Sequence, residues 1–312
     1  MSMEYIVEIN GLSKEYETGF WRKRRVRALD GLELNVRPGG IFGFLGGNGA
    51  GKTTTIKILM GLLFPTEGSA KILGRDISDV EMRARIGYCP ENPYFYDYLT
   101  ANELMDYFGR IFGLSAVDRQ QRADELLSAV GLAEKDRNRQ LRKFSKGMLQ
   151  RVGLAQALIN SPEIVFLDEP MSGLDPVGRR EIRELIAGLR DKGTTVFMST
   201  HILSDVEALC DEVAILRGGK LAANGKLSEL LMQNEGPRAF EVVVSGDASA
   251  LNGRLPDTAT VSIKPAGTAI EVAGDDELSK VLEAARDAGT PIVSVNPLRQ
   301  SLEELFVASE QA

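Results

Sequence analysis

The stretch Gly46-Gly47-Asn48-Gly49-Ala50-Gly51-Lys52-Thr53, with Thr54 behind it, concentrates residue types that hold phosphate groups. It fits the pattern G-x-x-x-x-G-K-[ST]. The glycines let backbone N–H groups approach an anion closely, the lysine reaches β- and γ-phosphates, and the hydroxyl can ligate Mg²⁺. Two acidic residues, Asp168 and Glu169, end the apolar run Ile164-Val165-Phe166-Leu167. At such a place Asp168 is expected to hold Mg²⁺ through water, and Glu169 to activate an attacking water as general base. His201, the chain's single histidine, follows Ser199-Thr200. It can donate a hydrogen bond to a γ-phosphate and sense its loss. The combination points to a nucleoside triphosphate that is bound and hydrolysed.

Positioning those residues requires particular elements. Ile41-Phe42-Gly43-Phe44-Leu45 reads as a buried strand, and residues 54–63 as a helix with Ile56, Leu59, Met60 and Leu63 on one face. A strand feeding a glycine-rich turn into a helix N-terminus aims free N–H groups and the positive end of the helix dipole at an anion. Residues 164–167 read as a strand buried on both faces. A further strand at residues 194–198 delivers His201 at its C-terminal end. Ligands of α/β folds bind at that edge of a parallel sheet.

With 43% hydrophobic and 26% charged residues, the 312-residue chain has the composition of an ordinary soluble protein of one large or two modest domains. No apolar stretch approaches the roughly 18–20 residues of a membrane span. No signal-peptide core follows Met1-Ser2-Met3-Glu4. Any membrane role is therefore expected through a partner chain. A net charge of −7 weighs against a general nucleic-acid binder. Cys89 and Cys210 form no metal-ligand pattern and read as ordinary thiols.

In chain order, residues 5–9 and 32–36 read as strands. The basic run Arg22-Lys23-Arg24-Arg25 with Arg27, beside Trp21, reads as a solvated hairpin tip. Ser78 with Glu81 and Thr100 with Glu103 have capping-box spacing. The second box opens a helix with Leu104, Met105, Phe108, Ile111 and Phe112 on one face, and another helix is expected at 118–130. The region as a whole reads as helical, with few strand signals. Ser145 is placed to cap a helix with the stripe Leu149, Val152, Ala155 and Ile159. Pro176 suits the first position of a helix burying Ile182, Leu185, Ile186 and Leu189. Residues 213–216 and 221–224 read as a hairpin, and 225–231 as a helix. Near Glu235-Gly236-Pro237 the pattern changes. Strands at 240–244, 260–263, 269–272 and 292–295, a helix at 276–288 and a last helix capped by Ser301 with Glu304 then make a small α+β domain. No motif in it carries chemistry.

The ordered set of motifs resembles the nucleotide-binding subunit of an ABC transporter over about the first three-quarters of the chain. Tyr16 fits the aromatic that stacks on adenine, and Gly46 to Thr53 the Walker A loop. Glu91 stands where the Q-loop residue belongs. Ser145-Lys146-Gly147-Met148-Leu149-Gln150 stands where the signature belongs. Residues 164–169 fit Walker B, 172–175 the D-loop ending in Asp175, and His201 the switch histidine. The resemblance implies an α/β P-loop NTPase (RecA-like) core with an antiparallel β subdomain and a helical subdomain at about 92–160. This cassette would occupy residues 1–236, with the accessory α+β domain at 237–312. It further implies ATP and Mg²⁺ as ligands, with Thr53, Asp168 and Glu91 around the metal. It implies a head-to-tail dimer, a homodimer by expectation, in which the loop of one subunit meets the signature of the other. A separate integral-membrane permease working in export, with this chain peripheral to it on the cytoplasmic face of the membrane, completes the picture.

Three departures stand out. Glu91 replaces the family's glutamine, Phe144-Ser145-Lys146-Gly147-Met148 replaces Leu-Ser-Gly-Gly-Gln, and Gly47 replaces a proline. Ser145 and Gly147 keep the hydroxyl and the close backbone approach a signature needs. A soluble ABC ATPase acting on nucleic acid or ribosomes is the alternative. Such proteins carry paired cassettes, long coiled-coil insertions or zinc-binding cysteines, and this chain has none. A binding module that switches without turnover is disfavoured by Glu169 and His201.

Overall fold

Alternating apolar and polar residues near the N-terminus build a long antiparallel ribbon, β1 (Val7–Thr18) with β2 (Arg24–Val36). The structure is a computed structural model describing residues 3–18, 24–233, 239–246, 251, 253–264 and 267–298. The chain divides into two units, residues 1–227 and 228–312.

The first unit continues with β3 (Ile41–Leu45), α1 (Lys52–Leu59), β4 (Glu67–Ile72), β5 (Arg75–Asp76) and β6 (Ile86–Cys89). Helices α2 (Ala101–Ile111), α3 (Ala116–Ala129), α4 (Glu134–Arg137) and α5 (Lys146–Ala157) follow. Then come β7 (Ile164–Asp168), α6 (Pro176–Asp191), β8 (Thr195–Thr200), α7 (Leu203–Leu209), β9 (Glu212–Arg217) and β10 (Lys220–Lys226). The main sheet has the order β10-β9-β3-β8-β7-β6. All its strands are parallel except β10, which returns as a hairpin at the edge. Strands β3, β7 and β8 are buried throughout, as their apolar runs require.

A second, antiparallel sheet has the order β2-β1-β4-β5. Between the sheets, Ile9, Leu12, Leu29 and Leu32 of the ribbon meet Ile56, Ile58 and Leu59 of α1 and the aromatic face of the main sheet. Phe197 lies at the centre of that face, its ring centroid 5.3 Å from those of Phe42, Phe44 and Phe166. Each such side chain contributes about 1.5–3 kcal/mol by leaving water. On the opposite face α7 comes so close to β3 that a Cβ at Gly43 would lie 2.7 Å from Cys210 Sγ.

Several expectations fail here. The ribbon runs well beyond residues 5–9 and 32–36, because pairing across it carries polar stretches into strand. The region read as helical contains β4, β5 and β6. Strand β4 buries only Ala70 and Ile72, and Glu67, Gly68 and Lys71 are poor strand formers; pairing with β1 makes it a strand. The Ser78–Glu81 capping box does not form. The Ser78 hydroxyl and N–H both donate to Asp76, at 2.6 and 2.9 Å, and the Asp79 carboxylate accepts the Glu81 N–H at 2.9 Å. A 3₁₀ stretch, Glu81–Arg85, results. The Thr100–Glu103 box does form, with bonds of 3.2 and 2.8 Å. Helix α2 ends at Ile111, which is exposed rather than facing the core. Leu185 and Leu189 of α6 are only half-buried.

The second unit comprises α8 (Leu227–Gln233), whose first residue closes the first unit, β11 (Ala239–Val244), β12 (Thr260–Lys264), β13 (Gly267–Ala273), α9 (Asp275–Asp287) and β14 (Ile292–Leu298). Its antiparallel sheet has the order β12-β13-β11-β14. Val281, Ala284 and Ala285 of α9 pack on Val242, Val244, Ile270 and Val272. The expected helix after Ser301 and the hairpin tip at Trp21, Arg22 and Lys23 lie outside the described residues.

Candidate nucleotide-binding site

The loop after β3 is shaped by glycine. Gly49 and Gly51 have φ of 80° and 109°, where a side chain would be strained. A Cβ at Gly46 or Gly51 would lie 2.6 Å from the carbonyl oxygen of Leu216 or Ala28, so β9 and β2 hold the loop closely from two sides. Gly51 caps α1 without a side-chain bond, leaving the first helical N–H groups for an anion. The Lys52 ammonium is buried, donates to the Gly46 carbonyl at 2.7 Å and lies 3.4 Å from the Glu169 carboxylate.

The parallel register of β7 and β8 sets Asp168 beside Ser199. Asp168 accepts from the Ser199 hydroxyl at 2.5 Å and from the Thr53 hydroxyl at 3.3 Å, both on Oδ1. The chain then turns out of the sheet at Glu169, whose φ of 49° is in the left-handed region. That conformation costs an L-residue roughly 1–2 kcal/mol. The Glu169 N–H donates to both the carbonyl and the hydroxyl of Ser199, each at 3.1 Å. Its carboxylate lies 2.9 Å from His201 Nδ1. Lys52, Thr53, Asp168, Glu169 and His201 thus share one hydrogen-bonded network.

The other residues read for chemistry are distributed around it. Tyr16 pairs with Val26 on the ribbon, two residues from the Ala28 that abuts Gly51, and Lys14 Nζ lies 5.4 Å from its ring centroid. Glu91 follows β6, whose Cys89 pairs with Leu167, so it leaves the same sheet edge as Asp168. Half-buried, it has no hydrogen bond or ion pair among the described residues. Ser145 caps α5, accepting the Met148 N–H at 3.2 Å. A Cβ at Gly173 would meet Lys146 Cδ at 2.9 Å, and one at Gly147 would meet Leu174 at 3.3 Å. The segment around Ser145 to Met148 is therefore packed on residues 172–175, and Asp175 caps α6 by accepting the Gly178 N–H at 2.7 Å. No hydrogen bond or ion pair among the described residues joins Ser145–Met148 to Gly46–Thr54.

Burial and the negative charge of Asp168 hold the Tyr88 phenol and the Cys89 thiol well above their usual ranges, so both stay protonated. Burial pushes the Cys210 thiol up to about 12. Buried and held protonated, neither thiol is poised as a nucleophile. Ser199 belongs to no motif. Its signal is a hydroxyl inside an otherwise apolar strand, interpretable only once the register with β7 is known.

The sequence profile described as ABC transporter matches residues 29–172. An ABC transporter ATP-binding protein of Synechocystis sp. is 45% identical over 97% of this chain and 84% of its own length. The bacitracin transport ATP-binding protein BcrA of Bacillus licheniformis is 35% identical over 98% of this chain and 97% of its own. Among solved structures, a dimeric ATP-binding cassette in a post-hydrolysis state, bound to ADP and Pi, matches with a TM-score of 0.66 and 28% identity, covering 71% of this chain and 98% of that one. The chain belongs to the ATP-binding proteins of ABC transporters. It has the P-loop NTPase fold of that family and is an ATP-binding ATPase subunit. No helix among the described residues is long and apolar enough to cross a membrane.

Proposed function

We propose that this chain powers export through a separate integral-membrane permease, two copies closing head to tail on ATP and parting after hydrolysis. The network joining Lys52, Glu169 and His201 beside Thr53 and Asp168 carries the hydrolytic reading. Gly46 to Thr54 bind the phosphates through N–H groups and the Lys52 ammonium, and Tyr16 stacks on adenine. Glu169 takes the proton of the attacking water, while His201 orients its carboxylate and contacts the γ-phosphate.

The Thr53 hydroxyl and the Asp168 carboxylate fit Mg²⁺, being hard oxygen donors 3.3 Å apart. No cluster of three or more His, Cys, Asp or Glu forms a protein-only cage among the described residues. Mg²⁺ takes few protein ligands and completes its shell with water and phosphate. When bound it neutralises phosphate charge. Glu91 offers a further oxygen to metal or water.

Ser145, Lys146, Gly147 and Met148 complete the site of a second copy, with Asp175 bordering the same interface. Export is supported by relatives named for bacitracin transport and daunorubicin resistance. The permease would dock at Tyr94, Tyr96 and Tyr98, which are 96%, 69% and 69% exposed, placing the chain on the cytoplasmic face of the membrane. Tyr94→Ala with Tyr96→Ala is expected to change folding stability by no more than about 0.5 kcal/mol, as surface changes do, and so to leave the isolated subunit's ATPase rate near parental. Co-purification with the co-expressed membrane chain, and transport in vesicles, are expected to fall sharply. Unchanged association and transport would remove this face from the proposal.

A further inference from the structure

We infer that Ser199 is a positioning residue for hydrolysis, fixing the Asp168 carboxylate and the Glu169 backbone in one geometry. The inference rests on Glu169 being the general base. Ser199 is fully buried on β8 among Val196, Phe197 and Met198. A hydroxyl in such surroundings is costly unless bonded. Here it is bonded on both sides: Oγ donates to Asp168 Oδ1 at 2.5 Å and accepts the Glu169 N–H at 3.1 Å.

The direction of these bonds follows from chemistry. A backbone N–H only donates and a carboxylate only accepts, so the hydroxyl proton is committed to Asp168. The same Glu169 N–H also reaches the Ser199 carbonyl at 3.1 Å. Two acceptors from one residue therefore hold Glu169 in its left-handed conformation, with φ of 49°. That turn carries the Glu169 carboxylate off the line of β7 to within 2.9 Å of His201 Nδ1 and 3.4 Å of Lys52 Nζ. Neighbouring Thr200 is also buried, but its hydroxyl accepts the Ile202 N–H and closes only a local turn. Ser199 alone of the pair ties two strands together at the reacting end.

The test compares Ser199→Ala, Ser199→Thr and Glu169→Gln in the full-length chain. The measurements are kcat, KM, the affinity for a fluorescent ATP analogue with and without Mg²⁺, and the melting temperature. Ser199→Ala is expected to lower kcat by about 10²-fold, the usual cost of a small misplacement of a catalytic group. Analogue affinity and melting temperature should stay near parental values. Ser199→Thr keeps the hydroxyl and should recover most of the rate. Parental kcat in Ser199→Ala overturns the inference. So does a kcat loss accompanied by equal loss of ATP binding, or a folded Ser199→Thr as slow as Ser199→Ala. If Ser199→Thr does not fold, the kcat-against-affinity split of Ser199→Ala decides. The Glu169→Gln arm separates two failures. Parental hydrolysis there removes the general base itself, whereas an inactive Glu169→Gln beside a fully active Ser199→Ala removes only the role of Ser199.

Discussion

Glu169→Gln is expected to reduce ATP turnover by about 10²–10⁴-fold, the range attributable to a positioned general base. Glutamine has the same length and the same backbone, so the bonds from its N–H to Ser199 remain available. Its side-chain oxygen can still face His201, 2.9 Å away in the parent. What disappears is the basic oxygen and one negative charge beside the proposed γ-phosphate site. Nucleotide should therefore be retained while hydrolysis stops, and the ATP-closed dimer should accumulate. Phosphate release and size-exclusion chromatography with ATP test both halves together. A variant that hydrolyses at the parental rate would sink the assignment, whatever its oligomeric state.

Lys52→Ala is expected to weaken ATP binding roughly 10- to 150-fold, the equivalent of losing one charge-assisted hydrogen bond. The Lys52 ammonium lies 3.4 Å from the Glu169 carboxylate and is itself 7% exposed. Its removal leaves the buried Glu169 carboxylate without its ammonium partner next to incoming phosphate, so both terms oppose binding. Lys57, exposed near the end of α1, is the control. Lys57→Ala should bind ATP as the parent does. Equal affinities for Lys52→Ala and the parent, by titration calorimetry, would move the phosphate site elsewhere.

The parts of the fold readable in the sequence were those whose signals are local. The loop's glycines, the apolar strands β3, β7 and β8, the Thr100–Glu103 box and Pro176 each state their structure within a few residues. Strand β4 does not, because its partner is supplied by β1 and its own residues favour a loop. Ser78 and Glu81 satisfy the spacing of a capping box, yet Asp76 and Asp79 are better-placed acceptors for the same donors.

The candidate site divides the same way. Lys52, Thr53, Asp168, Glu169 and His201 could be named from the sequence because residue type and strand position coincide. Ser199 could not be weighed, since its significance comes from a register between strands 31 residues apart. Nor does the sequence show that Lys146 and Gly147 rest on Gly173 and Leu174.

The left-handed backbone at Glu169 sets durability against activity at a single position. Glycine there would relieve roughly 1–2 kcal/mol of strain, and asparagine some of it, but either would discard the carboxylate. Selection for heat resistance alone would therefore favour an inactive chain. Keeping the glutamate therefore keeps a strained backbone in exchange for the carboxylate.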